Sequence, residues 1–231
     1  MTQSLAGKSA LVTGSTGGIG RATAQLLAER GAHVVVTGVD AEGGEQAAAA
    51  IRAAGGKADW VLADLSAVAG VRDLAAAATR LTGGIDILVN NAGRFPLVPS
   101  DDTTEELFNQ VYDVNVRAPF FLTTALVLHM AARGAGVVVN IGSFVSSKGI
   151  PGATCYASSK AALDQLTRIW AAEYGPAGVR VNTVVPGQVA TEGVAAAMAA
   201  LTCRTPRPAG SAGRRRSPQP WPTSPRTRPP S

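Results

Sequence analysis

Tyr156 and Lys160 stand four residues apart in the run Tyr156-Ala157-Ser158-Ser159-Lys160, a spacing that puts both side chains on one face of a helix. A tyrosine phenol ordinarily titrates near pH ~10, so at neutral pH it needs help to act as a base. A nearby ammonium favours the phenolate and lowers that value, making the pair a proton-transfer device. Ser143, in Asn140-Ile141-Gly142-Ser143, can donate a hydrogen bond to an oxygen on which charge develops. A Tyr-x-x-x-Lys spacing by itself also lines helices that do no chemistry, so its meaning depends on what accompanies it.

What accompanies it is a glycine turn, Thr13-Gly14-Ser15-Thr16-Gly17-Gly18-Ile19-Gly20, placed between an apolar run and a helical stretch. A dinucleotide pyrophosphate needs a tight turn, close backbone approach and the positive end of a helix, and glycines permit all three. We expect Gly14, Ser15, Thr16, Gly18, Ile19 and Gly20 to line that site. Asp64-Leu65, Asn90-Asn91-Ala92-Gly93 and Pro186-Gly187, with Val189 and Thr191 just beyond, fall after later apolar runs. The carboxyl ends of parallel strands are where such sheets bind ligands. After the second run the chain reads Thr37-Gly38-Val39-Asp40, with Asp40 already past the expected strand. Neither an acid for a ribose hydroxyl nor a base for a 2′-phosphate ends that run, so NAD and NADP both stay open.

These residues need a frame to hold them. Short β-branched runs at 9–13, 33–37, 58–62, 85–90, 136–141 and 179–184 alternate with helical stretches at 18–30, 41–54, 68–81, 104–133 and 156–174. The long stretch 104–133 should break near Pro119. Gly31, Gly55, Gly83 and Gly178 stand where helices should stop. The near-continuous apolar character of the strands fits a sheet covered on both faces. The pattern predicts an α/β fold: a single-domain, doubly wound parallel sheet, the Rossmann fold.

Composition narrows the function. Hydrophobic residues are 46% of the chain and charged residues only 16%, which suits a buried sheet rather than a disordered binder. The net charge of +5 comes from seven arginines in residues 202–231, a segment without an acid, and leaves −2 for the rest. A nucleic-acid face would be spread over the folded body, so we expect no nucleic-acid partner. No apolar run reaches the roughly 18 residues of a membrane span, and no membrane partner is expected. Cys155 and Cys203 cannot make a disulfide framework, which points to a reducing cytoplasm. His33 and His129 have no metal-ligand spacing, so no metal is expected.

The chain resembles the compact, single-domain branch of the short-chain dehydrogenase/reductase family over roughly residues 5–198. The resemblance rests on Thr13-Gly14-x-x-x-Gly18-Ile19-Gly20, Asp64, Asn90-Asn91-Ala92-Gly93, Asn115, Ser143, Tyr156-x-x-x-Lys160 and Pro186-Gly187. It implies an oxidoreductase that moves a hydride between NAD or NADP and a small-molecule carbonyl or secondary alcohol. Tyr156 would be the general acid/base, Ser143 would orient the carbonyl, and Lys160 would bind the nicotinamide ribose and tune Tyr156. Asn115 would hold a water in the proton relay. Asp64 and Leu65 would edge the adenine, and Asn90 to Gly93 would line the cofactor cleft. It also implies a homo-oligomer. Arg94, Phe95, Phe144, Val145, Ile150 and Pro151 should give the substrate pocket a mainly apolar rim. A 3-oxoacyl carrier-protein reductase is one role; Ala177 is not basic where carrier-binding relatives often are, which counts against it.

Residues 1–201 read as the domain, and 202–231 as a tail holding eight of the fourteen prolines. The resemblance implies a substrate-covering helix past Thr191, another helix and a seventh strand; we expect Gly193 to Leu201 to supply the start of the first and the rest to be absent. A shifted reading frame near residues 201–211 would account for the tail; a disordered basic regulatory tail is the alternative. The loss of that cover would impair solubility and turnover, leaving a cofactor-binding but catalytically impaired protein as the alternative function.

Overall fold

The computed structural model describes residues 4–187. Val189, Thr191 and residues 202–231 lie outside the described residues, so the expectations for them do too. Six strands form one parallel sheet: β1 (Ser9–Thr13), β2 (His33–Gly38), β3 (Lys57–Leu62), β4 (Ile87–Asn90), β5 (Gly136–Ile141) and β6 (Val179–Val184). Their order is β3-β2-β1-β4-β5-β6, with every neighbouring pair parallel. The helices are α1 (Gly18–Glu29), α2 (Ala41–Ala53), α3 (Val68–Thr82), α4 (Glu105–Tyr112), α5 (Ala118–Ala132) and α6 (Thr154–Tyr174). This is the doubly wound fold expected, with its strand order reversing between β1 and β4.

Alternation along each strand divides the core into two layers. Val34 and Val36 join Ala10, Val12, Ala24, Ala28, Ala47 and Ala48 on the face covered by α1 and α2. Leu11 and Val35 join Leu74, Leu88, Leu122, Leu163 and Trp170 on the opposite face, under α3, α5 and α6. Alanines on α1 and α2 let those helices lie close to the sheet. Trp60 belongs to this packing too, its ring lying against Gly44 of α2. Strand β4 begins two residues later than its apolar run suggests. Asp86 is occupied at the foot of β1, where its carboxylate accepts from Ser9 N–H at 3.0 Å.

The expected interruption near Pro119 is a π-turn over Asp113–Arg117, with Pro119 in the first turn of α5. Proline offers no N–H to the carbonyl four residues before it, and the helix widens there. The stretch Glu105–Ala132, though broken, is long and apolar enough to cross a bilayer by composition, and 44% of its apolar window is buried inside the fold. Gly31, Gly55, Gly83 and Gly178 all adopt left-handed backbone, at φ between 76° and 97°, where the helices stop.

Candidate active site

The glycine turn joins β1 to α1 at the switch point, and the 90–93 loop leaves β4 beside it. Gly14 has φ +62°, and a Cβ on it would fall 2.9 Å from Ala92 Cα. A Cβ on Gly20 would meet the Gly14 carbonyl and Asn91 Nδ2 at less than contact distance. Only glycine lets α1, the turn and the β4 loop approach this closely. Asn91 Nδ2 donates to Thr13 O at 2.9 Å and Gly14 O at 3.0 Å, locking the two loops together. Thr13 Oγ1 accepts from Asn91 N–H and Ala92 N–H, both at 3.0 Å. Thr13 was not among the residues expected to line the site; its place in the turn motif was the available signal.

The turn is built to receive an anionic group. Helix α1 starts after Gly17 with no side-chain cap, as do α3, α5 and α6, whereas α2 and α4 are capped by Asp40 and Thr104. The first-turn N–H groups of α1 are therefore left for another acceptor, at the positive end of the helix. A Cβ on Gly17 would meet nothing within 4 Å, so the space in front of the turn is open. A dinucleotide pyrophosphate fits this cradle, and the backbone of Gly14 to Gly20 would hold it.

Several expected ligand residues turn their side chains inward. Ser15 is fully buried; its hydroxyl donates to Val12 O at 2.7 Å and accepts from Thr37 N–H at 2.9 Å. Only its backbone is free to face a cofactor. Asn90 donates to Thr123 Oγ1 at 3.2 Å and to Asn140 Oδ1 at 2.8 Å, beneath the cleft rather than in it. Leu65 is core, and Asp64 caps the turn into α3 by accepting from Ser66 N–H and Oγ, each at 2.9 Å. The Ser66 backbone hydrogen bond, and then its hydroxyl, hold the Asp64 carboxyl below the usual range. Asp40 accepts from Gly43 N–H at 3.1 Å as the cap of α2. Pro186 and Gly187 follow β6 at the same end of the sheet.

Under this floor runs a buried polar row. Asn90, Asn140 and Thr183 are register partners across β4, β5 and β6. Asn140 Nδ2 donates to Thr167 Oγ1 of α6 at 2.8 Å, and Thr183 Oγ1 reaches the same hydroxyl at 2.9 Å. The row ties three strands to the helix that carries Tyr156 and Lys160.

Helix α6 starts at Thr154, two residues earlier than expected, so Tyr156 sits in its first turn and Lys160 in its second. The Tyr156 ring lies 6.1 Å from that of Phe95. Burial pushes the phenol above its ordinary value of 10.0, opposed by the nearby Ser143 hydroxyl. Lys160 is buried, and its ammonium donates to Ile141 O at 2.7 Å. Burial brings its pKa down to about 8, with Asp164 acting the other way. Ser143 stands at the end of β5, its hydroxyl 3.4 Å from Val145 N–H.

Asn115 is fully buried in the π-turn. Its side chain accepts from Arg94 N–H and donates to Arg94 O, both at 2.8 Å, and donates to Ser159 Oγ at 2.9 Å. The amide is thus engaged with protein on both ends, and Ser159 joins the site through it. Pro119, four residues on, has no N–H to offer the Asn115 backbone carbonyl. Of the expected pocket rim, Phe144 and Ile150 are exposed in part, while Val145 is buried in its own 3-10 turn.

With this geometry in place, the comparisons with known proteins are specific. The short chain dehydrogenase family model matches residues 8–201. An uncharacterized oxidoreductase of Thermotoga maritima is 40% identical over 190 residues, which is 82% of this chain and 75% of that protein. Gluconate 5-dehydrogenase of Gluconobacter oxydans is 39% identical over 189 residues, 82% of this chain and 74% of the enzyme. The solved structure of a metagenomic short-chain oxidoreductase in complex with NADP is similar at a TM-score of 0.77 and 34% identity, covering 80% of this chain and 84% of that one.

Proposed function

This chain belongs to the short-chain dehydrogenase family, an NAD(P)-dependent oxidoreductase, and on that premise we propose that it interconverts a carbonyl and a secondary alcohol with Tyr156 as proton donor and acceptor. The observation that carries the reading is the meeting of Tyr156, Ser143 and Lys160 beside an uncapped glycine turn at the switch point of the sheet. Bound nicotinamide would give or take the hydride at the substrate carbon.

The remaining work belongs to side chains. In the reducing direction the carbonyl carbon gains the hydride and its oxygen gains the Tyr156 proton; oxidation reverses both transfers. The phenol is protonated at neutral pH even at its ordinary value, and burial raises it further, which suits it to donate. Ser143 orients the oxygen and shares its developing charge. Lys160 supplies a cation near the phenol and holds the cofactor's ribose. Asn115, through its carbonyl, seats a water on the proton path. Phe95, Phe144, Ile150 and Pro151 give the substrate a mainly apolar rim. Val39, exposed after β2, and Asp40, engaged with α2, leave the adenosine end without a committed acid or base, so both cofactors are candidates. Assembly with a second copy belongs to the same reading. An apolar groove lined by Tyr112, Val116, Phe120, Ala162 and Leu166 lies outside the cleft.

The test is a panel of 3-oxoacyl thioesters, ketosteroids and sugar alcohols with both cofactors, on the parent chain and on Tyr156→Phe. The variant should lose about 10²–10⁴-fold in turnover while binding NADPH nearly as tightly, because only the proton donor is removed. Substantial activity in Tyr156→Phe overturns the mechanism. NADPH binding without turnover on any substrate favours the impaired, cofactor-binding alternative.

A further inference from the structure

We infer that Asp164 is a positioning residue of this site, whose carboxylate keeps the Lys160 ammonium charged. The inference rests on the reading of Lys160 given above. Asp164 lies one helical turn beyond Lys160 on α6, on the same face. The two side chains flank a single peptide at the end of β5. Lys160 Nζ donates to the carbonyl of Ile141 at 2.7 Å, and Asp164 Oδ1 would lie 3.1 Å from a Cβ on the next residue, Gly142. Gly142 has no side chain to interpose, so the carboxylate can approach.

Asp164 Oδ1 is buried, and among the described residues it accepts no hydrogen bond. A buried carboxylate oxygen without a donor is costly unless a charge answers it. The cation on its own helix face is Lys160, one turn back and, among the described residues, not within 4.0 Å of it; burial disfavours that ammonium, and the Asp164 charge supports it. Other titratable groups on the elements packed against α6 are engaged or placed elsewhere. Asp113 and Arg117 of the π-turn pair with each other at 2.8 Å. Tyr112 of α4 donates to Ser158, and Arg180 of β6 is exposed near the start of its strand. His129 and Arg133 lie at the far end of α5. Lys148 follows the 3-10 turn after Ser143, and on α6 itself Tyr156 stands one turn before Lys160. Removing the Asp164 charge leaves the ammonium with burial alone, and the cation is lost at lower pH.

The test compares Asp164→Asn with Asp164→Glu in the full chain. One readout is the alkaline limb of kcat/KM for ketone reduction; the other is the Lys160 titration by carbon-13 NMR at Cε, assigned with Lys160→Met. Asp164→Asn, close to isosteric but neutral, should move both to lower pH by about 0.5–1 unit, a three- to tenfold loss on the limb. Asp164→Glu, larger but charged, should restore them. A packing role predicts the reverse: the larger side chain does harm, and neither variant moves the titration. An unmoved titration in Asp164→Asn overturns the inference, as does a Glu variant that shifts like Asn. Should Asp164→Asn fail to fold, Asp164→Glu decides alone, since a shifted titration in it sinks the electrostatic role. If the parent chain turns over nothing, the oxidoreductase reading fails on its own, and the NMR titration still decides Asp164.

Discussion

Gly20→Ala tests whether close approach at the switch point is what builds the cofactor cradle. A Cβ at this position would lie 2.9 Å from the Gly14 carbonyl carbon, and closer still to its oxygen and to Asn91 Nδ2. Carbon contacts are comfortable at about 3.5–4.0 Å, so the first turn of α1 must retreat by roughly 1 Å. Retreat disturbs the two Asn91 bonds that hold the loops together. Overpacking of this kind typically costs about 1–3 kcal/mol. For a chain of this size each kcal/mol lowers Tm by about 2–4 °C, so a fall of about 2–12 °C is expected. The displaced N–H groups should also weaken NADPH, by about 5- to 150-fold where the displacement costs the bound state about 1–3 kcal/mol more than the free one. Gly17→Ala is the control for the melts alone, because its Cβ would meet no protein atom within 4 Å and its φ of −154° suits any residue. Thermal melts on both variants and NADPH fluorescence titrations on Gly20→Ala decide the matter. If Gly20→Ala melts with Gly17→Ala and binds NADPH like the parent, the packing argument is wrong.

Two further outcomes follow from the buried polar groups. Asn140→Ala removes the centre of the row that links β4 to α6, and should lower Tm by about 3–10 °C in thermal melts; a change under about 1 °C would show that Asn90 and Thr167 find other partners. Lys160 titrates at about 8 in the folded chain, below its ordinary 10.5, so between those values the unfolded chain binds more protons and stability rises with pH. Lys160→Met should lose turnover and flatten that rise, and melting curves from pH 7 to pH 10 that run parallel to the parent's would refute the assignment.

Much of this molecule could be read from local sequence. The strands and their order of appearance follow from short β-branched runs, and the glycine turn from spacing within eight residues. Tyr156 and Lys160 share a helical face because four residues make about one turn. The helix stops are legible for the same reason, since glycine tolerates the left-handed backbone each stop requires. Other features depend on which segments become neighbours. Ser15 turning inward requires β2 beside β1, and the Asn90–Asn140–Thr183 row requires β4, β5 and β6 in one register. The inward use of the Asn115 side chain depends on a π-turn that faces Arg94 and Ser159. Lys160 donating to Ile141, and Asp164 resting against Gly142, depend on how α6 settles on the end of β5. Periodicity reports which face of an element is apolar, because burial acts on each residue separately. It does not report which polar groups will satisfy one another, because that is settled only when distant strands and helices meet in low dielectric and every buried donor must find its acceptor.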